Sequence, residues 1–423
     1  MSRKRVDEVF GISHTVLADS YVDRGKLDQE LARYLGRPVH IALRGESKCG
    51  KSWLRQHQIQ KALTVQCRLG KTAEDLYVDA LSQLEIRLDI GRSVTGGFTG
   101  TISAKGKLGL KLLAEVGLDV SLEGSRSVDT STEAAGHDIS DLRYIADVIK
   151  TSGQRLVIED FHYMSTSERK KFAFDLKALW EYGLFVVVIG VWSQSNMLIY
   201  LNPDLSGRVH EIPIYWSRED LIAVLEKGGG ALNLDFSAKF KDTAARDCFG
   251  SVGILQKITQ MTLDELHLEY AQASVLLVDH PDSLESASMQ YAEQLNPLYQ
   301  QFARRVSNGI RQRKNSTGIY AHAMAVILEA DDSRLIGGLS IDWIFDEAHR
   351  REARIQKGNL RTVLENFEAL QIDDDGRGLV VAYNEATGEV SVVDRQLLLY
   401  RKYSTIKWPW DELIEEAAGS GDN

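Results

Sequence analysis

The sequence predicts an α/β fold: a three-layer core around a parallel sheet, then a helical lid, then a C-terminal domain of winged-helix-like layout. An apolar run ends in a glycine-rich turn that opens a helix. Further apolar runs, one of them ending in paired acids, recur between helical patterns, and the last third reads as helices followed by a β-hairpin. The chain has 423 residues, 43% hydrophobic and 26% charged, enough for about two or three domains and unlike a disordered or disulfide-stapled chain. Its longest apolar stretch, 184–192, is half of what a membrane span needs, and the charged start MSRKRVDEVF does not resemble a signal peptide. No membrane association and a cytoplasmic location are therefore expected. Cys49, Cys67 and Cys248 lack CxxC or Cys/His spacing and read as reduced thiols. A net charge of −10 disfavours adhesion to nucleic acid over the whole surface but permits a local basic patch.

The first strand, at about 38–44, leads into Gly45-Glu46-Ser47-Lys48-Cys49-Gly50-Lys51-Ser52-Trp53, which fits the phosphate-loop pattern G-x-x-x-x-G-K-[ST] between a strand and a helix. The two glycines let the backbone curl with its N–H groups inward, and the helix adds its positive end. Lys51 is expected to bridge the β- and γ-phosphates of a nucleoside triphosphate, and Ser52 to place its hydroxyl on Mg²⁺. A second strand is expected at about 62–69 and a third at about 155–160, where Arg155-Leu156-Val157-Ile158 ends in Glu159-Asp160. Such a tip brings acid to the crevice of the loop. Glu159 aligns with the metal-side acid and Asp160 with the water-side acid, and a shift of one residue exchanges the roles. After a strand at about 184–191, Ser193 is a candidate for the γ-phosphate or its water, with helix capping as the alternative. Before a strand at about 210–215, Arg208 is a candidate arginine finger acting on a neighbouring subunit, or else a surface arginine paired with Asp204.

Residues 1–216 thus form the expected core, with a glycine-rich, hairpin-like insertion at 92–130 that reads as an inter-subunit arm or partner sensor. Residues 217–270 form the lid, where Arg246 and the Gly250-Ser251-Val252-Gly253 turn are expected to face ATP. A helical connector follows at 271–315 with a basic run, Arg304, Arg305, Arg311, Arg313 and Lys314. The domain at 316–404 has three helices and a hairpin, the layout of a winged helix. Arg350, Arg351, Arg354, Lys357 and Arg361 gather at the approach to its third helix, where duplex DNA would meet phosphate contacts. Alternatively that domain packs on the ATPase with its arginines solvated. In the tail, 405–423, Trp408 and Trp410 are expected to dock in the chain's own groove or a partner's.

Residues 20–270 resemble the AAA+/STAND class of P-loop ATPases, the oligomerising switch proteins that include bacterial phage-defence and signalling ATPases. The resemblance rests on Gly45 to Ser52, on Glu159-Asp160, on Asp204 to Arg208, and on Phe249-Gly250-Ser251 in the lid. Val252 stands where STAND proteins usually carry proline, and the acid pair is inverted. The class implies Mg²⁺ and ATP as cofactors, ATP hydrolysis, a homo-oligomer and a separate effector or partner protein. It also implies that Val22 or Arg24, in the lead-in before the loop, contacts adenine, with a helix cap at Asp23 as the alternative. Two other functions fit the same residues: a DNA-loading or target-selecting AAA+ ATPase, and a nucleotide-binding scaffold that hydrolyses little.

Overall fold

The computed structural model describes residues 3–92, 98–104, 106–116, 132–134, 142–192, 195–309, 317–371 and 379–419. Ser193, Arg311, Arg313, Lys314 and much of the glycine-rich insertion lie outside the described residues.

The core is a five-stranded parallel sheet made of β1 (His40–Gly45), β2 (Ala62–Gln66), β3 (Arg155–Glu159), β4 (Val187–Gly190) and β5 (Val209–Ile214). Its order is β2-β3-β4-β1-β5. Registers such as Ile41 on Val187, Ile41 on His210 and Leu63 on Leu156 set the strand tips side by side. Both faces are covered, which is why the strands read as unbroken apolar runs rather than alternating ones. Ile41, Leu43, Val157, Val187, Ile189, Ile212 and Ile214 pack on one face with Leu54 of the loop helix (Lys51–Gln58) and with Ile59 just past its end. Ala42, Leu63, Leu156, Ile158 and Val188 pack on the other with Leu76, Ile145 and Phe172, from helices Ala73–Gln83, Leu142–Thr151 and Thr166–Glu181. Each fully buried Leu or Ile contributes about 2 kcal/mol.

One polar residue is built into this core. His40 is 0% exposed, and its ring is satisfied at both nitrogens: Nε2 on the Leu176 carbonyl at 2.8 Å, and Nδ1 accepting from the Val186 N–H at 2.9 Å. Burial lowers its pKa to about 4.

After β2, Ile86–Arg92 pairs antiparallel with Phe98–Ala104, so the hairpin opens ahead of residue 92. Lys107–Glu115, inside the expected insertion, is a helix. The lid comprises helices Arg218–Leu232, Ala238–Asp247 and Val252–Glu265 with a short strand, Leu234–Phe236, that pairs with Leu276–Val278. The N-terminal Val6, Val9 and Phe10 pack into the lid, where a Cβ at Gly228 would sit 2.3 Å from the Phe10 ring.

The helix Pro281–Asn308 crosses from the lid to the C-terminal domain. That domain carries helices Ile319–Glu329, Ile341–Arg351 and Lys357–Glu365, then the hairpin Val381–Asn384 with Glu389–Val392, whose second strand also pairs with Leu339–Ser340. This is the winged-helix-like arrangement. The chain returns through helix Gln396–Tyr403, and Trp410, 2% exposed, stacks on Trp408 at 4.6 Å within the chain's own core. A continuous apolar cluster joins the lid, the long helix and the C-terminal domain. Among the described residues no helix is long and apolar enough to cross a membrane.

Candidate nucleotide site

At the end of β1, a Cβ on Gly45 would lie 2.6 Å from Cys49 Sγ and 3.0 Å from the Ile214 carbonyl oxygen, so the turn needs glycine. Lys48 at φ +60 and Gly50 at φ +85 then curl the segment over the start of the loop helix. The first N–H groups of that helix lack intrahelical partners and carry its positive end, a ready site for phosphate. Lys51, 9% exposed, turns back across its own loop, with Nζ donating to the Gly45 carbonyl at 3.1 Å and to that of Glu46. A phosphate oxygen offers this ammonium a charged acceptor in place of neutral ones.

The loop borders a pocket of about 280 Å³. Ser47 through Trp53 line it, Asp160, His162, Tyr163 and Val191 reach it from the tips of β3 and β4, and Gly11, Ile12, Ser13, Val252, Gly253 and Gln256 come from the N-terminal segment and lid. The Gly11 N–H donates to Gln256 Oε1 at 3.1 Å, across 245 residues of chain. Cationic Lys51, the curled loop and these partly apolar walls fit a nucleotide. Of the turn expected to face it, Val252 and Gly253 do line the pocket. Arg246 is not among its lining residues and pairs with Asp247 at 2.9 Å. Val22 and Arg24 are not at the pocket either: Val22 packs against the lid, and Arg24 stacks 4.2 Å over the Trp216 ring behind Gly50. Sequence reading missed Gly11, Ile12, Ser13, His162 and Gln256. Two polar residues so far apart in the chain leave no local pattern, whereas His162, just past the acid pair, was within reach of a motif reading.

The paired acids part company. Glu159, 7% exposed, shares the sheet face of Val157 and so meets the loop helix, where its Oε1 accepts from Arg55 Nε at 3.0 Å and Nη2 at 2.9 Å. Asp160, at φ +56, turns into the pocket, and its Oδ2 accepts from Gln66 Nε2 at 3.1 Å. Ser52 lines the same pocket. Among the described residues no group of three His, Cys, Asp or Glu side chains assembles a metal cage. Mg²⁺ takes few protein ligands and completes its shell with phosphate and water. The residues present fit that ion: Ser52 and Asp160 line the pocket, whereas Glu159 is not among its lining residues. His162 is 6% exposed, and burial, then the charges of Lys51 and Arg169, lower its pKa to about 3.

The C-terminal domain touches the loop directly. The Ser47 N–H donates to the Val393 carbonyl at 3.2 Å, Lys48 Nζ donates to Gln396 Oε1 at 2.6 Å, and Arg395 forms an ion pair with Glu46. Arg395 Nη1 also reaches the Phe249 carbonyl of the lid at 3.4 Å. Behind this strap, Asp394 Oδ2 accepts from Tyr299 Oη at 2.9 Å, and Tyr291 Oη donates to Gln396. Burial lifts the Glu46 carboxyl above its ordinary pKa although Arg395 pulls it down, and burial lowers that of Lys48.

Arg208 lies at the other end of the sheet. The N–H of His40, the first residue of β1, donates to the Arg208 carbonyl at 2.8 Å, whereas the loop follows the last residue of that strand. Its guanidinium donates to the Asp204 carbonyl at 2.6 Å, meets Glu181 at 3.3 Å and lies 4.8 Å over Trp180. It does not reach its own loop. Of the basic residues considered for DNA, Arg350 pairs with Glu347 at 2.8 Å, Arg351 with Glu329 at 2.8 Å, Arg354 with Glu352 at 2.7 Å, and Lys357 with Asp342. Arg361 sits beside Tyr383.

No protein-family model matches the chain, and no curated protein matches it in sequence. Among solved structures, a Walker-type ATPase of Pyrococcus abyssi superposes with a TM-score of 0.53 at 12% identity, over 91% of this chain and 97% of that one. The fold is that of a P-loop ATPase. The strand order, the helical lid against the loop and the winged-helix-like C-terminus agree with the AAA+/STAND resemblance read from the sequence. Two further overlaps are looser. The Aeropyrum pernix ORC1 protein in complex with DNA gives a TM-score of 0.39 at 11% identity, over 91% of this chain and 92% of that one. A Signal Transduction ATPase with Numerous Domains from Pyrococcus horikoshii, with a tetratricopeptide repeat sensor, gives 0.36 at 10% identity, over 97% of this chain and 45% of that one.

Proposed function

We propose that the chain is a Mg²⁺- and ATP-dependent ATPase that works as an oligomerising switch. The observation that supports this most is the strap from the C-terminal domain, in which Val393, Arg395 and Gln396 hold Ser47, Glu46 and Lys48. Nucleotide and strap draw on the same loop, so occupancy of one bears on the position of the other. Lys51 and the loop N–H groups bind the β- and γ-phosphates, while Ser52, with Asp160 and Glu159, holds the metal. Bound there, Mg²⁺ neutralises charge on the phosphates. Asp160, the acid turned into the pocket, orients the water and accepts its proton. Ser193, next in sequence after Trp192, is a further candidate for the γ-phosphate or its water. Arg208, remote from its own loop, acts on the loop of a neighbouring subunit.

The class resemblance sets such a switch in antiphage defence or signalling, where it recruits or gates a separate effector. The DNA-loading alternative draws on the winged-helix-like domain, but Arg350, Arg351, Arg354 and Lys357 are matched by acids, which lowers the excess charge a duplex would meet.

ATP hydrolysis over a protein-concentration series, with and without duplex DNA, tests the reading. Turnover rising faster than concentration, lost in Lys51→Ala and Arg208→Ala and indifferent to DNA, is the expected result. Turnover that appears only with DNA replaces the switch by a DNA-loading ATPase. ATP binding that needs Lys51 but leads to no hydrolysis leaves a nucleotide-binding scaffold.

A further inference from the structure

We propose that His162 reads the terminal phosphate, distinguishing a nucleoside triphosphate from a diphosphate by one neutral N–H donor. The inference rests on the nucleotide reading of the pocket and adds to it a residue that no motif assigned.

Residues Phe161–Tyr163 form one tight turn after the left-handed Asp160, which carries the chain away from β3 and brings the imidazole over the crevice. There the Val191 N–H donates to His162 Nδ1 at 3.2 Å. A ring nitrogen that accepts an N–H carries no proton of its own, so the proton of the imidazole is on Nε2. Val191 is anchored at the end of β4, so this bond fixes both tautomer and ring orientation from the backbone of the neighbouring strand tip. The ring lines the pocket with Lys51, Ser52 and Asp160 and leaves Nε2–H as its remaining polar group.

Its place in the pocket decides which phosphate it meets. Gly11, Ile12, Ser13 and Gln256 belong to the N-terminal segment and lid, whereas His162 stands with Asp160 at the strand tips, and the loop meets both groups. A nucleotide held at the loop by its β-phosphate, with its base toward the lid, extends only its terminal phosphate toward Asp160 and His162. Beside an acid, a neutral donor supplies a hydrogen bond to a phosphate oxygen that the carboxylate cannot. A diphosphate leaves the same N–H to water.

The substitutions His162→Asn and His162→Gln separate the two jobs of the ring. Asparagine can accept from the Val191 N–H but lacks a donor at the Nε2 position, whereas glutamine places an amide N–H near that position. Equilibrium titration of the full chain with ATPγS and with ADP is the readout, alongside thermal unfolding without nucleotide. The expected result is an ATPγS Kd raised on the order of tenfold in His162→Asn with ADP affinity unchanged, and most of the loss recovered in His162→Gln. Equal losses for both nucleotides, or none for either, overturn the inference while leaving the nucleotide site intact. Failure of the wild-type chain to bind either nucleotide overturns the nucleotide reading itself. Should His162→Asn fail to fold, the ¹⁵N shifts of the wild-type ring decide: an Nε2–H signal that moves with ATPγS and not with ADP supports the assignment, and one that ignores both refutes it.

Discussion

Glu159 and Arg55 show how one side chain's surroundings set its use. Their side chains are 9% and 14% exposed and meet through two guanidinium nitrogens, so neither is matched if the other is removed. Arg55→Ala is expected to cost roughly 3 kcal/mol in a urea melt, because it strands a buried carboxylate. The acid pair was legible in the sequence as an apolar strand ending in carboxylates. The division of labour was not, because it depends on which face of the sheet each residue meets and on Arg55 being there. His40 makes one contribution to the pH dependence of stability. Its pKa falls from 6.5 unfolded to about 4 folded, so its contribution is complete above pH 6.5 and is lost as pH drops through 4. The His40 share of stability is expected to decline by up to about 3 kcal/mol over that window, while Asp175, whose carboxyl burial lifts to about 6, acts in the opposite direction. His162 acts in the same direction as His40. In His40→Asn, chemical melts at successive pH values should show a slope smaller by one proton.

Elements meet at close quarters where the lid touches the loop. The Gly253 N–H, at the start of helix Val252–Glu265, donates to the Lys48 carbonyl at 3.1 Å, and a Cβ on Gly253 would lie 2.6 Å from Lys48 Cβ and 2.8 Å from its carbonyl oxygen. Gly253→Ala therefore pushes the helix off the loop. ATP affinity is expected to drop by about tenfold in a binding titration, in proportion to the lost loop geometry. The helix and the glycine turn are legible in the sequence, but the reason for glycine is a contact with a segment about two hundred residues earlier. The hairpin after β2 is a similar case. Alternation marks Phe98–Ala104 as a strand, whereas its partner Ile86–Arg92 begins before the glycine-rich stretch.

At the scale of the molecule, the C-terminal strap couples the loop to the long helix through Arg395, Gln396, Asp394, Tyr291 and Tyr299. Arg395→Ala is expected to release the loop and raise the dissociation rate of a fluorescent nucleotide several-fold. Glu46→Ala should do the same. The double variant should fall short of the sum, with a coupling of about 1 to 2 kcal/mol in a double-mutant cycle. Full additivity would show that Arg395 and Glu46 act independently.

The amino-acid sequence by itself determined the sheet, its covering helices, the phosphate loop and the three-helix and hairpin layout of the C-terminal domain. Each follows from periodicity and turn chemistry among near neighbours, which the local order of residues sets. Tertiary structure alone decided what meets the loop: Arg395 on Glu46 across 349 residues, Gln256 on Gly11, and Arg55 on Glu159. Those contacts form when separately patterned elements dock, and the shape and charge of the docked faces, rather than any spacing along the chain, select the partners.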